Sequence, residues 1–299
     1  MKIETRETEE KEKEKTVKIG LIALDLDGTT LRSDRKIGAR TREALRRAME
    51  SGVHVVIATG RSLHSLPEEV LSVHGIEYAI TCNGAKIVRL SDRSILYTNY
   101  LSPSAVQRIM DFLKDYPNLI EIFVDGQAYV ERGKLKDLEA YGVTGTSAEY
   151  VRETRMPVDG VFDFLWEHRT EIENINVRLL PTDCREKLWK RLEALGEITV
   201  TSSFRQNIEL GGATTSKAAA MLALADLLGV AHGGIMACGD GLNDLAMLQA
   251  AGVAVAMGNS VPEVRAAADF VTEDNDHDGV GVAVEKFVWN PKESRCLKV

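Results

Sequence analysis

The sequence predicts an α/β protein with a parallel-sheet core and a long α+β insertion, and three observations carry that expectation. Apolar runs at VKIGLIALDLDG, VHVVIATG and GGIMACGD end abruptly in acids, threonine or glycine, the pattern of buried parallel strands opening into loops. Segments with helical spacing of apolar residues alternate with these runs, as crossover helices must. Between the two alternating blocks, residues 85–210 change character and hold most of the aromatics.

The chain has 299 residues, more than one compact core usually takes, which fits a core carrying an insert. Residues 1–16 alternate Glu with Lys and Arg and offer no apolar face, so they form a charged tail with nothing to offset its ordering entropy. Residues 17–84 and 211–299 make the expected core, and 85–210 the insert. In the first block, 17–28 is a buried strand whose carboxylates fall at its C-terminal edge. A helix follows over 41–51, with Leu45, Ala48 and Met49 on one face and Gly52 as its stop. VHVVIATG is the second strand, 65–74 a second helix and 78–82 a third strand.

In the insert, IEIFVDG and INVRLL read as strands among polar helical segments. Alternation returns after Lys217 with a helix carrying Met221, Leu222, Ala225 and Leu228. Then come GGIMACGD, the amphipathic NDLAMLQAAG, GVAVAMGN, and a last unit of DFVT with VGVAVEKFV.

Composition excludes several classes. Hydrophobic residues make up 44% and charged residues 27%, the balance of a soluble globular chain. A net charge of -8 without a basic stripe argues against a nucleic-acid partner. No run of about 18 apolar residues suggests a membrane span, and no signal-like segment is present. The four cysteines, Cys82, Cys184, Cys238 and Cys296, form no CxxC pair, so a reducing cytoplasm is the expected location. Composition leaves the oligomeric state open.

Ligands on parallel sheets bind beyond the carboxyl ends of the strands, where this sequence places Asp25 and Asp27, Thr59, and Asp240. The set suits phosphoryl transfer. Asp25 can attack phosphorus only if the repulsion between carboxylate and phosphate is cancelled, about 4 kcal/mol per charge at 4 Å and an effective dielectric near 20. A magnesium ion on Asp25, Asp240 and the Asp27 carbonyl would cancel it. Lys217 adds a point charge, while the Thr59 hydroxyl and neighbouring backbone N–H groups, including Gly60, donate hydrogen bonds. Asp27, two residues from Asp25, can take the separate role of proton donor and acceptor. Asn243 and Asp244 open a helix, where they can orient Asp240, Lys217 or metal-bound water.

These residues carry a resemblance. DLDGTTL at 25–31, ATGR at 58–61, Lys217 and GDGLNDLAML at 239–248 resemble the four ordered motifs of the haloacid dehalogenase superfamily. TCNGAKI, GVAVAMGN and VTEDNDHDGVGVAVEKF resemble its Cof-type branch, and the match covers nearly all of the chain beyond the tail. The resemblance implies a Rossmann-like core with a C2B-type cap inserted after the third strand. It also implies a magnesium-dependent phosphatase of small metabolites such as sugar phosphates, working through an aspartyl-phosphate. Asp25 would be the nucleophile, Asp27 the acid/base, Thr59 and Lys217 phosphate ligands, and Asp25, Asp27 and Asp240 the metal ligands. Asn243 and Asp244 would support them, Asn243 at the phosphate site. Gly60, Arg61 and Asn83 are further candidates for phosphate or substrate contact. The acid at position 27 favours phosphoester hydrolysis. The alternatives are a phosphomutase, which GDGLNDLAML resembles less, and a non-catalytic binding protein on the same fold, against which the complete acid set argues.

Two other patterns need weighing. DNDHDGVGVAVE at 274–285 fits the calcium-loop pattern, but DFVT before it reads as strand and Gly281 stands at its aliphatic position, so a polar rim is expected. GDGLND lacks the third glycine of a dinucleotide fingerprint, and its aspartates would repel a pyrophosphate. The six histidines show no ligand-like pairing, and Cys82 and Cys238 sit in apolar strands as inert thiols.

Overall fold

A computed structural model describes residues 18–116, 118–179, 184–203 and 206–289; the charged tail at 1–16 lies outside the described residues. The first block gives β1 (Leu21–Leu24), α1 (Ala39–Glu50), β2 (His54–Ala58), α2 (Glu68–Leu71), β3 (Tyr78–Thr81), β4 (Lys86–Arg89) and β5 (Ile95–Thr98). Residues of β1 and β2 are almost all buried, because helices cover both faces of the sheet they form. The helix expected over 65–74 shrinks to the single turn α2, started by Pro67 and lost before Gly75, which takes a positive φ of 103°.

The insert contributes α3 (Pro103–Leu113), β6 (Asn118–Val124), β7 (Gln127–Glu131), α4 (Arg132–Leu135), α5 (Gly145–Thr154), β8 (Arg155–Val158), α6 (Val161–Glu167), β9 (Ile172–Leu179), α7 (Cys184–Glu193), β10 (Ile198–Thr201) and β11 (Asn207–Gly212). The chain then supplies α8 (Lys217–Leu228), β12 (Ile235–Gly239), α9 (Leu245–Ala250), β13 (Val253–Ala256), α10 (Pro262–Ala267), β14 (Phe270–Val271) and α11 (Gly279–Val284).

One sheet runs β14-β13-β12-β1-β2-β3-β4-β5 and the other β10-β11-β9-β6-β7-β8. From β14 to β3 the first sheet is parallel, so Leu24, Ala58 and Gly239 all end on one edge. The sequence reading put residue 85 at the start of the insert, but β4 and β5 pair antiparallel onto β3 and extend the core sheet. Their short apolar stretches match either sheet, and only the pairing assigns them. At the other end β11 belongs to the insert's sheet.

Alternation in the second sheet sorts its faces. Ile120, Ile122, Ile175, Val177, Ile208 and Leu210 are buried in one cluster with α3, α6 and α7. The intervening Glu121, Asn176 and Glu209, paired side by side, look the other way, toward the carboxyl edge of the core. A buried ion pair ties the sheets: Lys86 Nζ on β4 lies 2.7 Å from Glu173 Oε1 on β9, and the Cys82 thiol donates to the same carboxylate.

Candidate active site

Asp25 follows the last residue of β1, and its N–H bonds to the carbonyl of Cys238 on β12. Behind it the chain turns through Gly28, at φ 83°, and a side chain there would come within 2.5 Å of Asp240 Oδ2. Glycine is therefore what lets the first loop approach the loop after β12. Thr29 completes that junction by donating to Asp240 Oδ1 at 3.0 Å, and Thr30 donates to the Asp25 carbonyl at 2.6 Å.

Lys217 is the first residue of α8, which Ser216 caps by accepting from Ala219 N–H. A cation at a helix N-terminus opposes the macrodipole, and here two carboxylates compensate it. Lys217 Nζ lies 2.6 Å from Asp25 Oδ1 and 2.7 Å from Asp244 Oδ1, and the lysine is 1% exposed. The turn at 82–84 reaches this helix start through Gly84, at φ 106°, where a side chain would meet the Ser216 carbonyl at 2.1 Å. Asp244 in turn accepts from Asp240 N–H and Gly241 N–H, fixing the third loop.

Charges crowd this edge. Burial pushes the Asp25 carboxyl well above the usual range, with Lys217 opposing and Asp244, Asp240 and Asp27 adding to the rise. Burial and then Asp244 push Asp240 up to about 6, against the Thr29 hydrogen bond and Lys217. Lys217 is held above its ordinary range because Asp244 and Asp25 outweigh its burial.

Asp25, Asp240 and Asp244 each offer an oxygen within 4.8 Å of the others. A hard-oxygen set with excess negative charge fits a divalent cation of the magnesium or calcium kind. The metal set expected from sequence takes Asp27 through its main-chain carbonyl, and the Asp27 carboxylate is engaged elsewhere, with Arg61 Nε donating to Oδ2 at 2.8 Å and Nη2 to Oδ1 at 2.6 Å. Asp244, expected to support the site, lies in the cluster with one oxygen on Lys217 and the other on the Asp240 and Gly241 N–H groups.

Thr59 directly follows β2 and is almost fully buried, its hydroxyl accepting from Arg61 N–H at 3.1 Å. Thr59, Gly60, Arg61 and Asn243 line one cavity of about 470 Å³ with Asp25, Asp27 and Asp240. Asn83, expected as a substrate contact, does not line it. This residue is buried behind the wall, where its amide is spent on Glu209 and Asn243.

The insert roofs the cavity with side chains that sequence reasoning left unassigned, among them Glu121, Phe123, Tyr150, Arg155, Asn176 and Glu209. Arg61 and Arg155 lie over the Tyr150 ring at 4.7 and 4.8 Å, and Arg155 Nε donates to Glu121 at 2.6 Å. A signal existed: polar residues at every second position of otherwise apolar strands mark a wet face.

A family model described as haloacid dehalogenase-like hydrolase matches residues 22–284. The chain belongs to that family, in its Cof-type branch. It is 31% identical over 277 residues to a 5-amino-6-(5-phospho-D-ribitylamino)uracil phosphatase of Bacillus subtilis, covering 91% of this chain and 97% of the relative. A haloacid dehalogenase-like hydrolase structure from B. subtilis superposes with a TM-score of 0.78 at 30% identity, covering 89% and 99% of the two chains. A subclass IIB sugar phosphatase shares the fold, with a TM-score of 0.75 at 21% identity over 89% and 98%. This haloacid dehalogenase-like hydrolase is thus an enzyme of the phosphatase class.

The calcium-like loop of this hydrolase does not gather its acids. Asp274 accepts from His277, Asp276 from Ser33, and Asp278 from Thr41 N–H, each pointing to a different neighbour. Asn275 donates to the Leu31 carbonyl, so the segment braces the loop after Asp27. Among the described residues, no helix is long and apolar enough to cross a membrane.

Proposed function

We propose that the enzyme is a magnesium-dependent phosphatase of small phosphorylated metabolites, sugar phosphates or similar esters, working through a phosphate ester of Asp25. The observation that carries this reading is Asp25, which lines the cavity together with Asp27 and Arg61 and is held from behind by buried Lys217. The phosphatase named for the similar B. subtilis protein, whose substrate is a phosphorylated ribityl compound, supports that substrate class.

Lys217 holds one oxygen of Asp25 and fixes the carboxylate facing the phosphoryl group, while Thr59 and the Gly60 N–H lie where they can donate to its oxygens. Magnesium bound by Asp25 and Asp240, beside Asp244 and the Asp27 carbonyl, would supply positive charge next to the transferring group. An Asp25 oxygen bonds to phosphorus as the bond to the leaving oxygen breaks; Asp27, which has to take a proton from solvent as one of its bonds to Arg61 opens, gives that proton to the leaving oxygen. Arg61 neutralises the carboxylate this leaves. Asp27 then takes a proton from water, the water oxygen bonds to phosphorus, and the phosphorus bond to Asp25 breaks to release inorganic phosphate. The roof formed by residues 85–210, less β4 and β5, excludes bulk water and meets the leaving group. A cytoplasmic location agrees with metabolite substrates and with reduced cysteines.

Phosphate release from a panel of metabolite phosphoesters tests the reading, with Asp25→Asn and chelator controls. Release that needs magnesium and is abolished by Asp25→Asn supports it; full activity in Asp25→Asn overturns the nucleophile assignment.

A further inference from the structure

We infer that Glu209, on the roofing sheet, is a positioning residue that sets the orientation of Asn243 at the phosphate site by way of Asn83. The inference rests on the phosphatase reading above and adds a residue that the superfamily motifs quoted above do not contain.

The connection is a short relay of hydrogen bonds across the two parts of the molecule. Glu209 Oε1 accepts from Ser203 Oγ and from Asn207 Nδ2, the latter at 2.9 Å. Glu209 Oε2 accepts from Asn83 Nδ2 at 2.6 Å, and Asn83 Oδ1 accepts from Asn243 Nδ2 at 3.1 Å. Asn83 is 4% exposed and does not line the cavity, so water is a poor substitute for the partners of its amide. The backbone of Asn83 is equally constrained: its φ is 55° and its N–H bonds to the Thr59 carbonyl at 3.0 Å.

Polarity makes this relay directional. A carboxylate can only accept, so the nitrogen of the Asn83 amide must face Glu209 and its oxygen must face Asn243. Asn243 then has to present its nitrogen to Asn83, which leaves its own oxygen outside the relay. The charge on the roof thereby decides which way round a cavity-lining amide of the core stands.

The substitution Glu209→Gln reverses the relay instead of merely weakening it. With its oxygen kept toward Ser203 and Asn207, the introduced amide places an –NH2 against the –NH2 of Asn83. Asn83 has to turn over, and Asn243 after it. Aspartate at 83 repairs this, since its carboxylate accepts from the new amide and from Asn243 alike, and aspartate tolerates a positive φ almost as well as asparagine.

The experiment is a double-mutant cycle read with p-nitrophenyl phosphate and magnesium, with Asp25→Asn as the control for the phosphatase reading. Expected for Glu209→Gln is a kcat loss of about tenfold or more, the scale of one misdirected hydrogen bond. KM should stay within about twofold. Asn83→Asp combined with Glu209→Gln should recover most of the loss. A raised KM without recovery in the double variant would mean that Glu209 acts by touching the substrate, and overturns the inference. So does an unchanged kcat in Glu209→Gln. A wild-type protein that hydrolyses no phosphoester would instead remove the phosphatase reading and this role with it.

Discussion

Lys217 Nζ stands 2.6 Å from Asp25 Oδ1 and 2.7 Å from Asp244 Oδ1, with none of the lysine side chain exposed to water. One cation therefore holds two buried carboxylates together, and it does so at a helix start where the dipole alone would disfavour it. Removing one partner of a buried pair costs about 3–5 kcal/mol, because the charges left behind are unpaired. Lys217→Met is expected to lose stability on that scale in urea unfolding and to lose phosphate release entirely. A variant as stable as wild type would show that the pairing contributes little.

Arg61 grips Asp27 at two points while lying over the Tyr150 ring of the roof. Lysine cannot reproduce a planar fork, so Arg61→Lys should be nearly as damaging as Arg61→Ala. General acid–base catalysis is worth about 10²–10⁴-fold, and misplacing its acid should cost kcat at the lower end of that range. Steady-state kinetics on both variants checks this, and full activity in Arg61→Lys would contradict it.

The carboxyl cluster predicts opposite pH trends with and without metal. Asp240 titrates at about 6 in the folded protein against an ordinary 3.8, chiefly because it is buried. Between those values the folded chain keeps a proton that the unfolded chain releases, so metal-free stability falls as pH rises through the window. Asp25, raised by its burial, shifts in the same direction and adds to the fall. Divalent cations need the carboxylates ionised, so their affinity should rise with pH over the same window. Melting temperatures from about pH 4.5 to 7.5, with chelator and with magnesium, should diverge as pH rises; parallel curves would refute the assignment.

Thiol mapping checks the packing of the core. Cys238 is fully buried and its thiol is pushed up to about 12, while Cys82 is raised by burial and then by Glu173. Neither forms thiolate at neutral pH. Mass spectrometry after iodoacetamide treatment should find Cys184, which is partly exposed, labelled well before either. Early labelling of Cys238 would contradict the packing described for β12.

The core was legible because its information is local. Parallel strands buried on both faces read as apolar runs, and Asp25, Thr59 and Asp240 follow such runs directly. What failed to show was set by pairing and by rotamer. Nothing in KIVR or ILYT says that β4 and β5 join the core sheet. Nor does the spacing of Asp25 and Asp27 say that the second carboxylate pairs with Arg61. The roof is harder still, because Glu121, Asn176 and Glu209 come from strands far apart in sequence and meet only in the folded sheet.

Whether Asp25 carries the phosphoryl group can be read by chemical trapping. An enzyme quenched during turnover and reduced with borohydride converts an acyl phosphate to homoserine, which peptide mass spectrometry can place. Homoserine is expected at position 25, dependent on substrate and absent from Lys217→Met. Homoserine at another aspartate, or phosphate released with position 25 never modified, would contradict it.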